Sequence, residues 1–282
     1  MESAAKAIEA TETFSKSDWI LENFMCPVCR EASPLSAHDH KCGSCGTVYS
    51  QDTNALNFIS PDMQKEFNLT PTTNVSAHIY DQIAQNMIGT GGMVLDCGSG
   101  KKKLEFDNLV QMEIVDYENV DVLGVNQLLP FKDNCFDGVM SLAVLEHVDQ
   151  PFDCAKEILR VLKPGGRLYV GVPFLQREHG YPHHYFGMTR MGLQRLFKGG
   201  IDIETHHVPM SGHPIWGLWM YLQSYRDGLE GEDRKTFHNM TVADFLSKAP
   251  RDFLAEPWVK NLSEEAKWTV ATTTTLIATK KQ

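Results

Sequence analysis

The sequence predicts an α/β fold, a mostly parallel sheet covered by helices on both faces. Short apolar segments of strand length alternate with helical patterns through the middle of the chain. A Lys163-Pro164-Gly165-Gly166 stop then separates one helix from the strand that follows it. A glycine-bearing turn directly after the first buried strand is the third sign of the same architecture.

The elements follow in order. Residues 1–24 form a polar lead ending in an apolar patch of Trp19, Ile20, Leu21 and Phe24. A small cysteine-bearing module occupies 25–60. The larger α/β domain spans 76–282 and opens with a helix over Ser76–Ile88, where Ala77, Tyr80, Ile83, Ala84, Met87 and Ile88 recur at helical spacing. Strands are expected at Met93–Asp96, Met112–Asp116, Val120–Val125, Phe136–Leu142 and Arg167–Val172. The helix Pro151–Leu162 carries Phe152, Ala155, Ile158, Leu159 and Leu162 on one face. Ile201–Val208 and the Thr-rich Ala271–Lys280 read as a final strand pair. Between them, 211–265 is a helical insertion, read as a lid over the domain.

The chain has 282 residues, with 36 acidic against 26 basic side chains and a formal net charge of −10. That sign disfavours RNA as the main partner, because nucleic-acid phosphates want a basic face. No run reaches the roughly 20 apolar residues that a membrane span needs. Seven cysteines, four of them in two close pairs, fit a reducing compartment with a metal site. The expected location is cytoplasmic. Cys97, Cys135 and Cys154 read as buried packing thiols.

The chemistry concentrates at Val94-Leu95-Asp96-Cys97-Gly98-Ser99-Gly100, a buried strand running into a turn with glycines two apart. Such a turn lets a ligand approach the backbone at a strand's carboxyl end. Asp116, expected at the end of the next strand, places a carboxylate where both hydroxyls of a ribose can be bound. Then come Asn126–Val139, Ala143-Val144-Leu145-Glu146-His147-Val148, and Leu159-Arg160-Val161-Leu162-Lys163-Pro164-Gly165-Gly166.

In that order and spacing these segments resemble class I methyltransferases that use S-adenosylmethionine (SAM), the type 11 group among them. The resemblance covers about residues 76–208 and implies a Rossmann-like sheet of seven strands, one of them antiparallel. It implies that Asp96, Gly98 and Gly100 face the methionine part of SAM. Asp116 would then hold the ribose and Asn126 the adenine, with Cys97, Tyr117 and Gln127 beside them. The chain departs from the family in having Lys101, Lys102 and Lys103 where a further glycine is common, and Asn126 where Asp is. The lysines read as a solvated charge run.

Cys26-Pro27-Val28-Cys29 and Cys42-Gly43-Ser44-Cys45 form two knuckles whose four thiolates can close a tetrahedral shell around a structural zinc. The pair resembles the zinc ribbon in front of bacterial ribosomal RNA guanine methyltransferases. Such a ribbon is also a docking module for protein partners. His38 and His40, between the knuckles, read as surface residues.

Methyl transfer to oxygen or nitrogen calls for a group that takes the acceptor's proton. Glu146-His147 follows the fourth strand. His179-Gly180-Tyr181-Pro182-His183-His184-Tyr185-Phe186 follows the fifth and resembles the substrate-side loop of members acting on small or lipid-linked metabolites. His147, His183 and His184 are the catalytic candidates. Ala143 removes the first carboxylate of a Glu-x-x-Glu-His metal cluster, so no catalytic metal is expected there. Trp216, Trp219 and Tyr221 in the insertion are read as acceptor-pocket, membrane-contact or core residues. The leading expectation is methylation of an O or N on a small-molecule or lipid-like metabolite. The rivals are an RNA base methyltransferase guided by the ribbon and a catalytically silent SAM-binding partner protein.

Overall fold

The computed structural model describes residues 14–33, 35–51, 55–70, 79–102, 106–180, 183–275 and 279. The chain divides into two compact units. One comprises the described residues of Met1–Leu145 with Asp149–Gly171; the other comprises Glu146–Val148 with the described residues of Val172–Gln282.

The first unit is built on six strands. They are β1 (Leu56–Asn57), β2 (Val94–Cys97), β3 (Leu109–Glu113), β4 (Val122–Leu123), β5 (Phe136–Leu142) and β6 (Leu162–Gly171). Their order across the sheet is β1-β4-β3-β2-β5-β6, and every ladder is parallel. Strand order reverses at β2, the position where open parallel sheets take ligands at their carboxyl ends. Two helices of this unit fall where the pattern predicts or nearly so, α3 (Gln82–Ile88) and α4 (Pro151–Val161); α1 (Lys16–Glu22), within the stretch read as a polar lead, and the short α2 (Pro61–Glu66) precede them. The expected first turn of α3 over 76–78 lies outside the described residues. Asp81 caps α3 by accepting from Ala84 N–H. Ala84, Met87 and Ile88 then join Tyr80, Val94, Leu109 and Met140 in one buried cluster. Burial of each larger aliphatic stabilises by about 2 kcal/mol.

β6 begins directly at the end of α4. Phe136 pairs with Leu162 and Gly138 with Arg167, so Lys163–Gly166 loops out of the ladder. This places the helix stop inside the strand's span rather than before it.

The N-terminal segment packs on the same unit. The Trp19 and Phe136 rings lie 5.0 Å apart. Phe24, Tyr49 and Phe58 form an aromatic group with centroids 5.0–5.6 Å apart. The module's last residues become β1, which pairs with β4 at the sheet edge. Arg30 Nη2 donates to both Glu157 oxygens on α4 at 2.8 and 2.9 Å. Glu157 also accepts from Arg160 and from Leu129 N–H.

The second unit holds α5 (Arg190–Leu196) and a run of helices: α6 (Pro214–Asp227), α7 (Gly231–Asn239), α8 (Val242–Leu246), α9 (Pro257–Lys260) and α10 (Glu264–Thr269). Leu229, Phe237, Phe253, Trp258, Leu262 and Ala266 form its own small core. Trp216 and Trp219 take no part in it and stay about half exposed. Residues 201–208 make no ladder, and Asp202–Val208 are exposed. The described part of 271–280 makes none either; residues 276–278 and 280 lie outside the described set. The expected final pair, and with it the antiparallel seventh strand, is therefore not formed among the described residues. β-propensity without a neighbouring ladder does not make a strand. No described helix is long and apolar enough to cross a membrane.

Replacing Glu157 by Ala removes both hydrogen bonds from Arg30 Nη2 and leaves Arg160 held only by Asp133 and the Phe131 and Leu129 carbonyls. The expected loss is about 2 kcal/mol, read as a lower urea midpoint at unchanged slope. An unchanged midpoint would show that these contacts do not hold the module.

Candidate active site

The turn after β2 is shaped by its backbone. Gly98 has φ +86°, and a Cβ there would meet Val144 Cγ2 at 2.4 Å, so no side chain fits. Asp96, the residue before Cys97 in β2, is fully buried. Its Oδ2 accepts from Tyr80 Oη at 2.7 Å and pairs with Lys102 Nζ at 2.7 Å. Its Oδ1 has no hydrogen-bond partner. Lys102 also lies over the Tyr80 ring, 4.7 Å from its centroid. The solvated-run expectation therefore fails at Lys102, which is drawn inward by a buried carboxylate. Lys101 remains exposed and Lys103 lies outside the described residues.

β3 ends at Glu113, three residues earlier than the sequence pattern suggested. Glu113 Oε1 accepts from Gly100 N–H at 3.1 Å and Oε2 from Ile114 N–H at 2.7 Å. Burial pushes its carboxyl pKa up, against those two bonds. Asp116 lies beyond the strand and is exposed, with Tyr117 next to it. Sequence reading passed over Glu113 because only the ladder fixes where the strand stops. Asn126 follows β4 and is buried, with Oδ1 unpartnered. Gln127 is buried beside it and reaches Asp149 at 3.5 Å. Cys97 is fully buried, and burial raises its thiol pKa well above the usual value.

These residues fit a SAM molecule. Two buried acceptors, Asp96 Oδ1 and Asn126 Oδ1, lack donors that a methionine ammonium and an adenine amine would supply. The turn at Gly98 and Gly100, both at positive φ, leaves the backbone open to close approach.

The four knuckle cysteines, Cys26, Cys29, Cys42 and Cys45, bring their sulfurs within 4.8 Å of one another. Cys26 and Cys45 sulfurs lie 3.6 Å apart, and Cys29 and Cys42 3.8 Å. A tetrahedron with Zn–S bonds of about 2.3 Å has edges of about 3.8 Å. The knuckles share one backbone design. In each, the residue after the second cysteine adopts positive φ, Arg30 at 60° and Gly46 at 75°. Each donates to the first cysteine's carbonyl, at 2.8 and 2.9 Å. Tyr49 Oη sits 3.0 Å from Cys26 Sγ as an outer partner. The four thiolates fit a closed structural zinc site.

The second unit carries a separate polar cluster. Glu146 is fully buried with both carboxylate oxygens unpartnered. His147 Nε2 is 3.7 Å from Glu146 Oε1, and His147 Nδ1 meets the His183 carbonyl. The His179 ring lies 5.1 Å from that of His147 and 4.3 Å from that of His184. Burial pushes the Glu146 carboxyl up to about 7 and the His147 imidazole down to about 4. His183 contributes its carbonyl to the cluster, while its ring lies 5.5 Å from that of Tyr185. His179, absent from the catalytic candidates, is brought in by the loop after β6.

If the knuckles hold zinc, the purified chain carries one zinc ion and Cys42→Ser releases it. Elemental analysis reads both. A zinc-free wild-type chain, or full zinc content in Cys42→Ser, would refute the assignment.

Set beside known proteins, the chain is 35% identical to an uncharacterized methyltransferase of Mycobacterium leprae over 104 residues, 36% of each chain. It is 38% identical over 143 residues to the ubiquinone/menaquinone biosynthesis C-methyltransferase UbiE of Ruegeria sp., 50% of this chain and 48% of that one. Each match thus spans less than half the length of its curated relative. Among solved structures, a possible histamine N-methyltransferase from Thermotoga maritima is 25% identical, covering 39% of this chain and 62% of that one with a TM-score of 0.32. Residues 96–170, from the buried Asp96 into β6, match the methyltransferase domain family.

Proposed function

We propose that this protein is a SAM-dependent methyltransferase acting on an oxygen or nitrogen of a small-molecule or lipid-like metabolite. The reading rests first on Asp96 Oδ1, a buried and unpaired carboxylate oxygen beside a turn that admits no side chain. SAM supplies an electrophilic methyl group on a sulfonium. Asp96 binds its methionine ammonium, while Lys102 and Tyr80 hold the other oxygen. The ribose falls to Glu113 with Asp116 farther along the loop. Each Glu113 oxygen already accepts one backbone N–H and keeps a lone pair for a hydroxyl. Asn126 Oδ1 takes the adenine amine, with Cys97, Tyr117 and Gln127 lining the same end of the sheet.

Acceptor chemistry belongs to the cluster of Glu146, His147 and His184, with His183 fixing the His147 ring through its carbonyl. The UbiE relative is named for carbon methylation. In this chain the half-buried histidine cluster favours oxygen or nitrogen, whose proton has to leave. The acidic net charge weighs against RNA. The four-cysteine module is a structural zinc ribbon with room for a protein partner, and the setting is cytoplasmic.

Calorimetry with S-adenosylhomocysteine tests the reading. The chain binds it, Glu113→Gln weakens binding at least tenfold, and Asp116→Asn weakens it less. Loss of charged hydrogen bonds of about 1.5–3 kcal/mol each sets that scale. Incubation with radiolabelled SAM and cell extract puts label in the organic-solvent phase. Absent binding would overturn the assignment, and label in RNA would overturn the acceptor class.

A further inference from the structure

We propose that Glu146, His147 and His179 form an open divalent-cation site in the second unit, with His184 donating a hydrogen bond to an oxygen ligand on that cation. The first observation is Glu146 itself. Its side chain is fully buried, and neither oxygen finds a hydrogen bond. A buried carboxylate without a donor is costly, and proteins answer it with a paired cation or a metal. His147 Nε2 stands 3.7 Å from Glu146 Oε1, too far for a hydrogen bond.

The ring orientations point the same way. His147 Nδ1 meets the carbonyl of His183, and His179 Nδ1 lies 3.0 Å from the carbonyl of Arg177. A carbonyl only accepts, so both rings carry their proton on Nδ1, and Nε2 is the unprotonated nitrogen of each. This carbonyl arrangement orients ligating histidines in metal proteins. One ligand atom from each of Glu146, His147 and His179 lies within 4.8 Å of the others. A cation at about 2.1 Å from each would draw that triangle inward.

His184 has the opposite tautomer. Its Nδ1 accepts from His179 N–H at 3.3 Å, so its Nε2 carries the proton. That N–H is buried and unpartnered. It is a donor awaiting an acceptor, not a fourth ligand. Three protein ligands leave the cation an open position, where a water or an acceptor hydroxyl would meet His184. Two imidazoles and one carboxylate suit a first-row divalent ion such as Zn²⁺, Co²⁺ or Fe²⁺ better than Mg²⁺ or Ca²⁺. The missing carboxylate at Ala143 led sequence reading to expect no metal here; His179 supplies the third ligand from a distant loop.

Only the acceptor role of the open position rests on the methyltransferase reading, and cation binding stands apart from it. The test uses the full chain with its cysteine site loaded with zinc, titrated with Co²⁺ and read by visible absorption. One further equivalent binds, without the thiolate charge-transfer band of a cysteine site. Glu146→Gln and His179→Ala each weaken that binding at least tenfold, and His184→Ala keeps one equivalent. Since a variant can fail to fold, NMR of the unsubstituted chain is read as well, and the ring signals of His147 and His179 shift on Co²⁺ addition. No uptake beyond the zinc, undiminished uptake in both ligand variants, or unmoved ring signals overturns the site. S-adenosylhomocysteine binding in the same samples reports separately on the methyl-donor reading.

Discussion

The first unit is organised around one buried charge. Asp96 sits at the end of the central strand with no exposure to water. Burying a carboxylate costs several kcal/mol unless a close partner and further hydrogen bonds offset it. Lys102 and Tyr80 do this, and Gln111 completes the network by donating to Tyr80 Oη at 3.2 Å and to the Lys102 carbonyl at 3.4 Å. Gln111 is also the register partner of Asp96 across the β2–β3 ladder. One carboxylate thus ties together the segment before α3, the strand β2, the turn after it, and β3.

The shape of the turn after β2 follows from that knot. For Lys102 to reach Asp96, the chain must fold back within a few residues of Gly98, which the positive φ values of Gly98 and Gly100 allow. Gln111 and Glu113 share one face of β3, because side chains two apart point the same way. Gln111 braces the network from below while Glu113 takes the Gly100 N–H. The two functions cannot be separated by a one-residue slip of β3, since that slip would turn both side chains away.

Sequence reading found what local chemistry dictates and missed what only the ladder decides. The turn at Gly98 and the two cysteine knuckles are legible because a few consecutive residues set their geometry. The end of β3 was not, since Glu113 and Asp116 are equally plausible until pairing with β4 fixes the register. Lys102 reads as one of three like charges, and its burial shows only when Asp96 is placed beside it. His179 joins His147 through loop closure over more than thirty residues, which no spacing rule reveals. Ile201–Val208 has the composition of a strand but forms no backbone ladder among the described residues.

The cysteine module bears on the carboxyl end of the sheet through hydrogen bonds. Without β1, the two-residue strand β4 would be the sheet's open edge, and short edges fray. Leu56 N–H donates to the Asp121 carbonyl and Phe58 N–H to the Leu123 carbonyl, so the module's tail brackets β4 from outside. Asn57 in turn bonds to Ser50, close after the second knuckle. Asn126, with its buried unpartnered oxygen, follows β4 by three residues. The path from the cysteine sulfurs to the buried Asn126 oxygen is therefore a short ladder of backbone bonds. A metal closed in by the four cysteines at its outer end, with no position free for chemistry, would still set how firmly the inner end is held.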